Sequence, residues 1–89
     1  MPRVIVPPPF QGPTRGQGEV KVDGETIREC LEAVEAEYAG FLAQVVREDG
    51  RAQRFVKLFV GGEQVGEGDL DTKLAIDDEI EILAAIGGG

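Results

Sequence analysis

Eighty-nine residues, 42% hydrophobic and 29% charged, describe one ordinary globular domain and not a disordered chain. A chain this short buries only about 60% of its unfolded surface, so most of its apolar residues must serve a single core. Nine Lys and Arg against 17 Asp and Glu leave a net charge of −8, which argues against nucleic acid and anionic membranes as partners and favours a protein with a positive docking face.

Arg3 to Val6 reads as a short strand, stopped by Pro7, Pro8 and Pro9, which supply no backbone donors. This run is too short for a signal peptide, and no apolar stretch approaches membrane-spanning length. Residues 11–18 form a glycine-rich polar loop, in which Gly16 and Gly18 are a fragment of a phosphate-loop pattern without its flanking strand and helix. Glu19 to Asp23 then alternates with period two and places Val20 and Val22 on one face, so the two strands are expected to form a hairpin.

Thr26 and Glu29 stand at capping-box spacing, the start of a helix. Ile27, Leu31, Val34 and Tyr38 recur at intervals of four, three and four and make one apolar stripe, with Glu29, Glu32, Glu35 and Glu37 on the other faces and Gly40 as the stop. Phe41, Leu42, Val45 and Val46 suit a second short helical turn, and 47–54 is a charged loop. The next strand, RFVKLFV, sets Val56, Leu58 and Val60 on one side and Phe55, Lys57 and Phe59 on the other. Gly61-Gly62 turns it into a short return strand containing Val65. The stretch from Leu70 to Ile76 is expected to drop Leu70, Leu74 and Ile76 into the core. In the last strand, Ile80 and Ile82 point one way and Glu79, Glu81 and Leu83 the other.

The order predicts an α+β roll, a mixed sheet with one main helix on one face. Val20, Val22, Ile27, Leu31, Val34, Leu58, Val60, Leu74, Ile80 and Ile82 are the expected core. Parallel pairing of the first and last strands in the middle of the sheet would anchor the chain just before its final glycines.

Catalytic chemistry is hard to assemble from this composition. The chain has no histidine, and its one cysteine can form neither an internal disulfide nor a metal site alone, which points to a cytoplasmic setting. Cys30 lies at the edge of the helical stripe and reads as an inert core thiol. Asp77, Asp78 and Glu79 form an acidic turn without the calcium-loop pattern. No catalytic residue, metal ligand or cofactor of its own is therefore assigned. What remains is the ending ILAAIGGG. Glycines without side chains can thread a narrow channel and bring a terminal carboxyl, that of Gly89, to a nucleotide held by another protein. A free carboxylate is a poor acyl donor and must first become an acyl-adenylate; a sulfur nucleophile can then displace the nucleotide. The alternative is a frayed chain end.

The segment from Arg54 to Gly89 resembles the C-terminal half of the MoaD/ThiS family of sulfur carriers, β-grasp proteins that also look like ubiquitin. The features that match are the Phe55–Val60 strand, the Gly61-Gly62 turn, Leu74 ahead of Asp77-Asp78, the Ile80/Ile82 strand, and the terminal Gly88-Gly89. The VPPPF run, the GQGEVKV strand and the helix start at Thr26 are most similar to the branch serving cysteine biosynthesis. The resemblance implies a β-grasp domain over 1–86 and a flexible glycine tail over 87–89. It implies that a ubiquitin-activating-type, ATP-dependent enzyme adenylates Gly89, with Gly88 beside it, and that a sulfur donor protein completes a thiocarboxylate. An acceptor enzyme then takes the sulfide. In the cysteine branch this is a pyridoxal-phosphate-dependent cysteine synthase, with a metallopeptidase releasing the product; in other branches the sulfur goes to molybdopterin, thiamin or a natural product.

Phe59, Leu83 and Ile86 are the expected partner surface, because their strand parity turns them away from the helix. Either partners cover them or the chain's own residues 7–15 do. Two other functions stay open: a protein modifier joined to lysines through the same terminus, and a β-grasp interaction module with an inert tail.

Overall fold

Valines and isoleucines spaced two apart between charged residues can bury only one side of a strand, and five such strands here lie side by side. The computed structural model describes residues 1–85, ordered as β1 (Arg3–Ile5), β2 (Glu19–Lys21), α1 (Ile27–Glu37), α2 (Leu42–Val45), β3 (Val56–Val60), β4 (Glu63–Val65) and β5 (Glu79–Ala84). The sheet order is β2-β1-β5-β3-β4. β1 and β2 form the expected antiparallel hairpin, and β5 runs parallel to β1 on one side and antiparallel to β3 on the other. Register carries Val20, Val4, Ile80 and Val60 into one row across the sheet, with Ile82, Leu58 and Val65 in the next. This is the mixed β-grasp sheet expected, with β5 at its centre. Gly61 and Gly62, at φ 60° and 85°, supply the two left-handed residues that a tight β3–β4 hairpin needs.

The start of α1 is held from two directions. Thr26 Oγ1 accepts from the Glu29 amide at 3.1 Å, while the Glu29 carboxylate accepts from the Glu25 amide at 2.9 Å, one residue earlier than a capping box requires. Ile27 and Arg28 donate their amides to Thr72 and Leu70 carbonyls at 3.2 and 2.8 Å, so the β4–β5 connection supplies acceptors for amides that no helix can satisfy internally. The Arg28 guanidinium ties the same region together, donating to Asp71 at 2.8 Å and to the Gly50 carbonyl at 2.9 Å. The helix ends at Glu37, capped by Tyr38, and Gly40 turns the chain at φ 99°. The Glu35 carboxylate accepts from the Gly40 and Leu42 amides and so starts α2.

Ile27, Cys30, Leu31 and Val34 of α1, with Phe41, Val45 and Leu70, pack on Val4, Val20, Leu58, Ile80 and Ile82. Val60 and Leu74, expected inside, are half-buried at the margin of this cluster. Ile76 corrects the expectation outright: it is 74% exposed. Ala75 donates its amide to Asp78 Oδ2 at 2.7 Å and accepts from the Asp78 amide at 3.1 Å, so the turn closes on its own polar groups and leaves Ile76 at its outer corner. Among the described residues no helix is long and apolar enough to cross a membrane.

Candidate functional site

β5 is paired with β1 as far as Glu81 and with β3 as far as Ala84. The Ala85 amide still donates to the Phe55 carbonyl, at 2.6 Å, so pairing with the β3 side persists to the last described residue. Ile86, Gly88 and Gly89, three of the residues assigned from the sequence, lie outside the described residues.

The other two come together. Ile80 and Ile82 are buried against the helix, which turns Glu79, Glu81 and Leu83 outwards. In β3, Val56 and Leu58 are buried and Lys57 and Phe59 take the outer side. Lys57 is opposite Leu83 and Phe59 opposite Glu81, so Phe59 and Leu83 are diagonal neighbours on one face. Leu83 is 43% exposed and Phe59 half-buried.

A further aromatic, to which the sequence assigned no role, stands nearer the end of β5. Phe55, opposite Ala85, is 43% exposed, and its ring centroid lies 6.3 Å from that of Phe10 at a tilt of 53°. Its place one step beyond Lys57 and Phe59 in the alternating run was the signal available. Phe10 closes a 3₁₀ turn over Pro8–Phe10 and is itself buried, held in place by Gln11, whose side-chain amide donates to the Val6 carbonyl at 2.8 Å. Of residues 7–15, Phe10 thus meets Phe55, and Leu83 stays 43% exposed.

Arg3 pairs with Glu79 at 3.1 Å, and Asp78 caps its own turn. Cys30 is fully buried; burial, and then the charges of Glu29 and Asp23, push its thiol pKa up, so it stays protonated and unreactive. Among the described residues no group of three or more His, Cys, Asp or Glu side chains is placed to hold a metal. What the arrangement offers is an apolar face with an aromatic at either end of Lys57, leading towards the C-terminal residues.

A model of the ThiS family matches residues 10–89. The sulfur carrier protein CysO of Mycobacterium tuberculosis is 33% identical over 89 residues, covering 97% of this chain and 96% of that one. In the crystal structure of the Amycolatopsis orientalis BexX/CysO complex, one chain superposes with a TM-score of 0.91 at 31% identity, over 100% of both chains. SAMP1 from Haloferax volcanii superposes with a TM-score of 0.76 at 21% identity, over 99% of this chain and 98% of that one, a likeness of fold alone.

Proposed function

This chain belongs to the ThiS family, and from that premise we propose that it is a sulfur carrier in the cytoplasm, acting through the carboxyl group of Gly89. The Gly89 carboxylate attacks the α-phosphate of ATP on an activating enzyme, pyrophosphate leaves, and an acyl-adenylate results. Sulfide equivalents from a donor protein attack the acyl carbon, AMP leaves, and the terminus becomes a thiocarboxylate. An acceptor enzyme consumes the sulfide, and the resemblance of the VPPPF run and the GQGEVKV strand to the cysteine-biosynthesis branch favours a cysteine synthase as that acceptor. The chain itself performs no catalysis; it presents an acyl group, and Phe59, Leu83 and Ile86 are the surface that partners grip, with Phe55 beside them.

The observation that carries this reading is likeness to a named sulfur carrier over 97% of the chain, joined to a terminus that leaves from the central strand. Pairing with β3 anchors the chain as far as Ala85, which suits delivery of a following segment into another protein's active site. Deleting Gly88 and Gly89 tests it. ATP–pyrophosphate exchange on the cognate activating enzyme should vanish while the melting temperature stays unchanged. Full exchange by the truncated chain would refute the role of Gly89.

A further inference from the structure

β1 and β5 begin, and β2 ends, at the edge of the sheet opposite Ala85. Met1, Pro2, Leu74 and Ile76 line a cleft there of about 570 Å³, rimmed by Asp23, Glu25 and Lys73. Two of its walls are open to solvent, Met1 at 54% and Ile76 at 74% exposure. Both sides of the cleft are pinned. The Leu74 amide donates to the Glu25 carbonyl at 2.8 Å, and the Ala75–Asp78 turn holds Ile76 where it stands. An aliphatic residue fixed in water beside a second one forgoes burial that a partner can supply.

The rim decides what kind of partner. Asp23 and Glu25, with Asp77 next to Ile76, outnumber Lys73 and the Met1 ammonium by three to two, and the whole chain carries −8. A second copy would bring the same acidic rim and repel. We propose that this cleft docks a segment of a different protein that presents one aliphatic side chain flanked by lysine or arginine. The six residues of β5, at about 3.3 Å each, separate the cleft from the end of the strand by roughly 20 Å. A partner seated here leaves the outer face and the terminus free, and its docking does not depend on the chemistry proposed for Gly89.

The test titrates two capped peptides into the nitrogen-15-labelled full chain, one with leucine between two arginines and one with glutamates replacing the arginines. The basic peptide should shift the amides of Glu25, Lys73, Leu74 and Ile76 and leave Lys57 and Leu83 unmoved. The acidic peptide should shift neither set, and high salt should weaken the basic one several-fold, as screening demands. Ile76→Ser, at an exposed site, should keep the fold and lower the affinity by about tenfold. Equal response to both peptides, shifts centred on Leu83, no shift at all, or unaltered binding by Ile76→Ser would overturn the proposal. So would concentration-dependent self-association that Ile76→Ser abolishes, since the occupant would then be a second copy.

Discussion

Leu83 touches little of the core, yet it lies opposite Lys57 and diagonal to Phe59 at the end of β5 from which the terminus departs. Leu83→Asp should therefore cost stability no more than about 0.5 kcal/mol, the usual range for an exposed site. Its affinity for the activating enzyme, read by calorimetry, should fall at least about tenfold if it is an interface anchor. Unchanged affinity would move the grip elsewhere. Phe59 is half-buried, so Phe59→Ser should show the same binding loss with a larger fall in melting temperature. Cys30 is a residue of the opposite kind. Its pKa is held above the ordinary 9.0, so the folded chain keeps a proton that the unfolded chain gives up. The resulting stabilisation is complete below pH 9 and is lost as pH rises towards the folded value. Denaturant titrations of Cys30→Ala should accordingly show a shallower alkaline decline than the parent, whatever the variant's stability at neutral pH. Gly24 is the counterpart to this buried thiol, since a Cβ there would meet Cys30 Sγ at 2.8 Å and the Cys30 amide at 2.9 Å. Gly24→Ala should cost about 1–3 kcal/mol by overpacking.

At the scale of elements, β5 bears most, because it is paired on both edges and both of its isoleucines are buried. Ile82→Ala should destabilise by about 2–5 kcal/mol, whereas truncating half-buried Val65 on edge strand β4 should cost much less. Equal losses in chemical denaturation would contradict the central placement. These strands and α1 were legible in the sequence because period two and the four-three-four spacing of Ile27, Leu31, Val34 and Tyr38 are local signals. The connection over 70–76 was not legible in full. Leu70 goes inside and Leu74 to the margin, but Ile76 is placed by an Asp78 side chain bonding back to Ala75, a choice that hydropathy does not register. The same holds for the Arg28 link to Asp71 and Gly50, which joins three segments distant in sequence. Of the proposed docking surface, the shared side of Phe59 and Leu83 followed from parity alone. The Phe10–Phe55 pair needed knowledge of where the proline turn folds.

For the molecule as a whole, the sheet separates the end of β5 that carries Leu83 from the acidic, aliphatic cleft at Met1 and Ile76. A carrier is defined by what its terminus holds, and a modifier by what its terminus is joined to. Both use an activated Gly89, so only the product separates them. The most direct measurement is the intact mass of the protein isolated from its native cell under non-reducing, non-acidic conditions. A sulfur carrier should include a population heavier by the exchange of one oxygen for one sulfur, absent when Gly88 and Gly89 are deleted. Finding only the free carboxylate together with lysine-linked conjugates would contradict it.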